Sequence, residues 1–492
     1  MIVLAAGSGT RMKSKTMKVL HPLCGRTMIG HVITAALSVD PRHVVAVVGH
    51  GREQVGPHVQ ALAPGALLAV QETQDGTGHA VRVGLEALRA AAGTTEGTVV
   101  VMAGDTPLLQ GSTIAALVSD HGAATRSVTV LTGEVADPFG YGRVIRDSDG
   151  SVAAIVEEND ADEQQAAVLE ISSGVFAFDG AFLADALSRV TNDNAKGEYY
   201  LTDVVALARS EGRGVGAFRI DDVAQTAGAN DRAQLAALGA ELNRRILDGW
   251  MRAGVSVMDP ATTWVDADVV LAPDVTLLPG VQLLGATTVG EDAVIGPDCT
   301  LKDVEVGRAA RVVRTHGELA VIGADATVGP FSYLRPGTVL GVGGKIGAFV
   351  EAKNAQIGDG AKVPHLSYVG DAEVGEGANV GAGTIFANYD GVAKHRTKVG
   401  RHAKTGSHNT FIAPVEIGDG AVTGGGTVVR RDVPPGALAV STGPQRNIDD
   451  WVLRKRAGSA AAEAAEEALA GGSSQGSGPG VASGADPERQ SD

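Results

Sequence analysis

Cysteine is almost absent, with Cys24 and Cys299 the only two in 492 residues. Such a pair cannot build a disulfide framework or a cysteine-rich metal site, so a reducing cytoplasm is the expected setting. Long apolar runs are missing too, and none approaches the ~20 residues that a membrane helix requires. Val3 and Leu4 stand almost at Met1, so a secretory leader is not expected, and the strand here has no lead-in, as if the natural start lay upstream. Positive charge is in deficit: 41 Lys and Arg against 57 Asp and Glu give a net −16, which argues against general nucleic-acid binding. Residues 457–492 hold six acidic groups and one basic, leaving −11 on the rest. Aromatics make up only 4%, whereas glycine occurs 67 times, a balance that suits small repeated units. A chain of this length exceeds one core, so two or three domains are expected.

What is present begins at once. Leu4-Ala5-Ala6-Gly7-Ser8-Gly9-Thr10-Arg11 reads as a strand end feeding a glycine turn, with Lys18 behind it. Gly7 and Gly9 lack a Cβ, so an anion can approach the backbone N–H groups closely, and Arg11 and Lys18 add full charges. Met12 stands where a dinucleotide loop needs its third glycine, and the Gly-Lys-Ser/Thr ending of a Walker loop is missing. Apolar runs at 44–48, 98–102 and 127–131 read as buried strands, and Val81, Leu85 and Leu88 recur at helical spacing between them. This alternation predicts a mostly parallel sheet with helices on both faces, whose ligands sit at the carboxyl ends of the strands. Asp105, in Gly104-Asp105-Thr106-Pro107, falls at such an end and is suited to Mg²⁺ as well as to capping a turn. Gln71 and Gly76-Thr77-Gly78-His79 form a second glycine turn, fitted to reading a base.

Asn230-Asp231 marks a helix start, Leu235, Leu238, Leu242 and Ile246 one apolar seam, and Gly254 a stop. From about 261 the pattern changes. Ile322, Val328, Leu334, Leu340 and Ile346 fall six apart, followed by Ile357, Val363 and Val369, then Val374 and Val380, then Val399 to Val429. A strict period of six with glycine after many members predicts a parallel β-helix with one aliphatic at each inward corner. His365 follows the corner Val363 and is expected to point outward, with Arg335, Lys353, Tyr368, Asn379, Asn388 and Tyr389 on nearby coils. Two cations, several amides and one imidazole make a coherent site for an anionic sugar. Lys394, Arg396, Lys398, Arg401 and Lys404 form the one dense basic run, suited either to coenzyme A phosphates or to a solvated loop. The Ala, Gly, Ser and Glu-rich segment from 457 is expected to be disordered, with its first part able to form a transient helix.

These residues together resemble the bifunctional bacterial family that makes UDP-N-acetylglucosamine, joining an N-acetylglucosamine-1-phosphate uridylyltransferase to a glucosamine-1-phosphate acetyltransferase. The resemblance covers about 1–452 and is most specific in 4–12, 71–80, 104–108, 140–143, 194–203 and 365–390. It implies an α/β Rossmann-like nucleotidyltransferase domain (1–227), a linker helix (228–254), a left-handed β-helix of hexapeptide repeats (255–456) and a homotrimer, while the tail (457–492) is read from composition alone. The implied substrates are UTP, acetyl-CoA, glucosamine-1-phosphate and N-acetylglucosamine-1-phosphate, with neither nucleic acid nor membrane as a partner. By resemblance, Leu4, Ala5, Ala6 and Gly7 contact the nucleotide, Arg11 and Lys18 its phosphates, and Gln71, Gly76 and Thr77 the uracil. Asp105 and Asn230 hold Mg²⁺, while Gly142, Glu157 and Ser172 meet the sugar nucleotide. Arg335 and Lys353 hold the sugar phosphate in the second site, Tyr368 and Asn379 the sugar, and His365 is the general base. Ala382, Asn388, Tyr389, Ser407, Gly425 and Thr442 line the acetyl-CoA site.

Four positions depart from the family pattern: Met17 replaces a proline, Ser172 an asparagine, Gly425 an alanine and Thr442 an arginine. None removes a catalytic group. Two rival readings are a monofunctional sugar nucleotidyltransferase with a structural β-helix, and a non-catalytic scaffold of the same shape. His365, Lys353 and Asn388-Tyr389 weigh against the first, and intact Arg11, Lys18 and Asp105 against the second.

Overall fold

A computed structural model describes residues 1–472 except Ser8, Thr442 and Pro444. Nine strands form the first sheet: β1 (Ile2–Ala5), β2 (Val45–Val48), β3 (Leu67–Val70), β4 (Thr98–Ala103), β5 (Val128–Glu134), β6 (Gly142–Arg146), β7 (Val152–Val156), β8 (Glu170–Asp179) and β9 (Val215–Arg219). The main order is β9-β5-β8-β4-β1-β2-β3, with β6 and β7 branching from β8. Valine-rich runs form the centre because both faces are covered. Ile2, Val45 and Val47 join one apolar cluster, while Val3, Ala46 and Val48 join the cluster on the other face, as the alternation of a pleated strand requires. The expected mostly parallel sheet is present with two reversed strands: β8 runs antiparallel to β4, β5 and β6, and β7 runs antiparallel to β6. Because β1 pairs with β4, with Leu4 opposite Ala103, the loops after these two strands open side by side.

The helix Arg232–Arg252 leaves this domain, and the Asp231 side chain caps it by accepting from the Gln234 N–H. Asn243, buried on this helix, ties it to the next unit: its amide donates to the Thr263 carbonyl at 2.8 Å and accepts from the Val265 N–H at 3.0 Å. Parallel strands then stack from Ser256–Val257 to Leu438–Ala439 in a left-handed β-helix of hexapeptide repeats. Trp264 pairs with Gln282, and Val270 with Thr288, so one coil takes eighteen residues, or three hexapeptides. The corners predicted from Ile322 onward are buried, and earlier ones at Val265, Leu271, Leu277, Leu283, Val289, Ile295 and Leu301 hold the same spacing. Burying each such aliphatic contributes about 1.5–3 kcal/mol.

One coil is longer. Ala372 pairs with Thr397 and Ile385 with Thr410, so residues near 388–396 leave the stack as an excursion. The first compact unit ends at Ala439. In the second unit, helices span Trp451–Lys455 and Ala460–Gly472, the latter in the first part of the tail, where the sequence also allowed a helix. Alanine, glutamate and leucine are strong helix formers, and the Ser459 hydroxyl accepts from the Ala462 N–H at the helix start. Residues 473–492 lie outside the described residues.

Candidate active sites

The first site is assembled from stretches far apart in sequence. Lys18 Nζ lies 2.5 Å from Asp105 Oδ2 and donates to Asn230 Oδ1 at 2.8 Å. Local packing enforces this meeting. Gly9 has φ +59°, and a Cβ there would stand 2.5 Å from Lys18 Cβ, so the turn folds directly onto the lysine. A Cβ on Gly228 would meet the Asp105 carbonyl at 3.2 Å. Met17, the first departure, is buried among Val19, Val55 and Val59 and packs against Gly51, so its side chain serves the core. Arg11 stands exposed in the turn Thr10–Met12, with no carboxylate partner among the described residues.

The base-reading elements lie beside it. Gln74 donates to the Ala6 carbonyl at 2.8 Å and so joins the two glycine turns. Gln71 donates to the Gly76 carbonyl at 3.2 Å, and Thr77 Oγ1 accepts from the Leu201 N–H. Ser172 pairs with Gly142 across β8 and β6, and a Cβ on Gly142 would stand 3.7 Å from Glu157 Oε2, so these three expected sugar contacts converge. Thr202 donates to Glu157 Oε1 at 3.1 Å and fixes that carboxylate. Nearby, burial followed by Asp160 and Glu157 pushes the Tyr200 phenol up to about 12. Among the described residues no cluster of three or more His, Cys, Asp or Glu is placed to hold a metal. Asp105 and Asn230 offer one carboxylate and one amide oxygen, a hard-oxygen pair matched to a divalent cation that keeps most of its ligands as water and phosphate.

The second site lies on the β-helix. Lys362 bridges to Asn379, Asn379 to Lys404, and Lys404 to Val422. Three residues further along each coil, His365, Ala382, Ser407 and Gly425 therefore stand in one file. Backbone bonds from Gly383 to His365, His408 to Ala382 and Gly426 to Ser407 hold it. His365 is exposed as expected, with small side chains below it. A Cβ on Gly425 would meet only the Ser407 carbonyl, at 3.7 Å, so this departure widens the file by one methyl without altering its course. Thr442 lies outside the described residues.

Around the corner, Arg335 donates its N–H to the Ala352 carbonyl and pairs through its guanidinium with Glu351 at 2.8 Å. Lys353 follows Ala352, and the Lys394 amine within hydrogen-bonding reach pushes the Lys353 pKa down. Tyr368 pairs with Glu351 on the adjacent coil, and the buried Asn388 lies with Nδ2 3.4 Å from Tyr368 Oη. Asn379 instead lies on the face of Lys362 and Lys404, with His365. The Tyr389 ring is exposed, its hydroxyl donating to the Gly391 carbonyl. The basic run does not act as one patch: Lys398 pairs with Glu416 and Arg401 with Asp419, whereas Lys394 belongs with Lys353.

Residues 1–171 match the MobA-like NTP transferase domain family. The bifunctional protein GlmU of Rhodococcus opacus is 61% identical over 474 residues, covering 95% of this chain and 94% of the relative. The GlmU proteins of Corynebacterium jeikeium and Streptomyces avermitilis are each 56% identical, covering 95% of this chain and 96% of either relative. The chain belongs to the bifunctional GlmU family. It is therefore an enzyme with two transferase activities, uridylyl transfer and acetyl transfer, as the motifs implied. Its substrates are of the sugar-nucleotide and acetyl-CoA classes, and no helix among the described residues is long and apolar enough to cross a membrane. Sequence reasoning about this GlmU-family chain did not single out Gln74 and Thr202, whose partners Ala6 and Glu157 become visible only in three dimensions. It read Lys394 with its sequence neighbours, although the excursion carries this residue to Lys353.

Proposed function

We propose that the amino-terminal domain joins UTP to N-acetylglucosamine-1-phosphate through Lys18, Arg11, Asp105 and Asn230. The β-helix acetylates glucosamine-1-phosphate beforehand, with His365 as general base. The observation that carries this reading is the convergence of Lys18, Asp105 and Asn230 at the carboxyl ends of β1 and β4.

In the first reaction a phosphate oxygen of the sugar phosphate attacks the α-phosphorus of UTP, and pyrophosphate leaves. Mg²⁺, held by Asp105 and Asn230, would supply charge against the triphosphate. Lys18 and Arg11 offset negative charge as it shifts to the leaving pyrophosphate, and the Leu4–Gly7 backbone fixes alignment. Gln71, Gly76 and Thr77 take the uracil, while Gly142, Glu157 and Ser172 take the sugar. The short Ser172 side chain reaches its ligand through water.

In the second reaction His365 removes a proton from the glucosamine amine, whose lone pair attacks the thioester carbonyl, and coenzyme A leaves as the thiol. Imidazole as a class exchanges protons near neutral pH. Arg335, Lys353 and Lys394 grip the sugar phosphate, with Tyr368 and Asn379 on the sugar. Asn388 and Tyr389 flank the thioester, and the file Ala382, Ser407, Gly425 carries the pantetheine arm to His365. A homotrimer completes the proposal. Phe331 and Phe349 stack at 5.2 Å on one corner with Leu366, and all three are more than half exposed, which suits burial against a second copy. Light scattering tests this, and a monomer at working concentration contradicts it. With both cysteines free, the setting is cytoplasmic.

Two variants test the site assignment. Asp105→Ala is expected to lower uridylyl transfer at least 100-fold and spare acetyl transfer. His365→Ala is expected to do the reverse, by the roughly 10²- to 10⁴-fold that a general base contributes. Loss of both activities in either folded variant contradicts the two-site assignment.

A further inference from the structure

Asp371 has no role in the reactions above, yet it sits inside the acetyl-transfer site. Its φ is +49°, at a corner of the coil. One carboxylate oxygen accepts from Asn354 Nδ2 at 2.7 Å on the preceding coil, and the other accepts from Asn388 Nδ2 on the following coil. The same Asn388 amide nitrogen lies 3.4 Å from Tyr368 Oη. Gly370 makes this arrangement possible, since a Cβ there would strike the Tyr368 hydroxyl and stand 2.8 Å from Asn388 Nδ2.

An ionised carboxylate only accepts, so both asparagines must turn their NH₂ groups towards Asp371. The second N–H of Asn388 then points to Tyr368, whose oxygen accepts and whose own hydrogen is left for another acceptor. We propose that Asp371 is a positioning residue for acetyl transfer: through Asn388 it fixes the direction in which the Tyr368 hydroxyl donates, towards an oxygen of the acceptor sugar phosphate. Partial burial works against the Asp371 charge, but the two amides and the Lys353 and Lys394 ammoniums outweigh it and hold the carboxyl below its usual range. The inference rests on Tyr368 contacting the sugar, as in the proposed function.

The test uses the full-length chain and steady-state acetyl transfer. Asp371→Asn places an NH₂ against one of the two amides and frees Asn388 to flip. The KM for glucosamine-1-phosphate is expected to rise roughly five- to tenfold, the scale of one hydrogen bond. The rate of uridylyl transfer should stay within twofold and the thermal unfolding profile should match that of the unsubstituted chain, which together report that both domains remain folded. Tyr368→Phe is expected to give the same rise, and the double variant no more than either single one, because both remove one interaction. Gly370→Ala displaces the same pair without touching the carboxylate and must raise the same KM, which keeps the inference testable if Asp371→Asn does not fold. A rise for Tyr368→Phe with none for Asp371→Asn, or effects that multiply in the double variant, overturns the inference alone. No rise for Tyr368→Phe overturns the assignment of the sugar site as well.

Discussion

At Gly9 two requirements coincide. The left-handed φ of +59° disfavours any side chain, and the space a Cβ would take is filled by Lys18 Cβ at 2.5 Å. Gly9→Ala must therefore move the lysine away from Asp105 and Asn230. The expected result is at least a tenfold loss of uridylyl transfer with acetyl transfer retained, measured in the two half-reactions separately. An equal loss of both would mean that the change acts on folding and not on the lysine. Gly9, Lys18 and Asp105 are read from spacing, but Gln74 and Thr202 act by holding Ala6 and Glu157, and no spacing announces a contact between residues 68 or 45 apart.

Elements show the same division. The β-helix was legible because every inward corner must be small or aliphatic, so the period of six is written directly in the chain. Phe386 and Phe411 are the large exceptions, fully buried on adjacent coils with ring centroids 5.0 Å apart in a T-shaped pair. Phe386→Ala is expected to lower stability by about 3–5 kcal/mol, read from thermal or denaturant unfolding. A loss under ~1 kcal/mol would contradict a close-packed coil interior at that level. The reversal of β8 was not legible, since an apolar run buried on both faces reads alike in either direction. The excursion near 388–396 shows in the sequence as the gap between Val380 and Val399 with polar residues inside it, and its path, which brings Lys394 to Lys353, becomes visible only in three dimensions. The helix at Ala460–Gly472 shows that local propensity can shape a segment that buries little.

Across the whole first unit, the loop that carries Lys18 continues into the hairpin Pro22–Thr27, which is fastened to the β-helix. The Ala267 N–H donates to the Cys24 carbonyl at 2.9 Å, and Arg26 forms an ion pair with Asp268. The amino-terminal domain also contains a pH dependence. Burial lowers the pKa of His31, whose Nε2 lies 2.7 Å from the Leu23 carbonyl, and of His121, whose Nδ1 lies 3.0 Å from Thr129 Oγ1. Both titrate lower in the folded chain than the ordinary value of 6.5, so below that pH the unfolded chain binds more protons. The stability they contribute is complete above pH 6.5 and is lost as pH falls towards their folded values. Unfolding midpoints measured from pH 7.5 to 5 should therefore decline, and His31→Gln should flatten part of that slope. A slope unchanged by His31→Gln contradicts this cause.

The central claim is that one chain makes UDP-N-acetylglucosamine in two steps at two separate sites. Mass spectrometry of products from the purified protein with glucosamine-1-phosphate, acetyl-CoA, UTP and Mg²⁺ tests it most directly, with each component omitted in turn. The sugar nucleotide is predicted to form only when all four are present, with N-acetylglucosamine-1-phosphate accumulating when UTP is left out. Product that appears only when N-acetylglucosamine-1-phosphate is supplied would contradict the account, because the file below His365 would then carry no acetyl transfer.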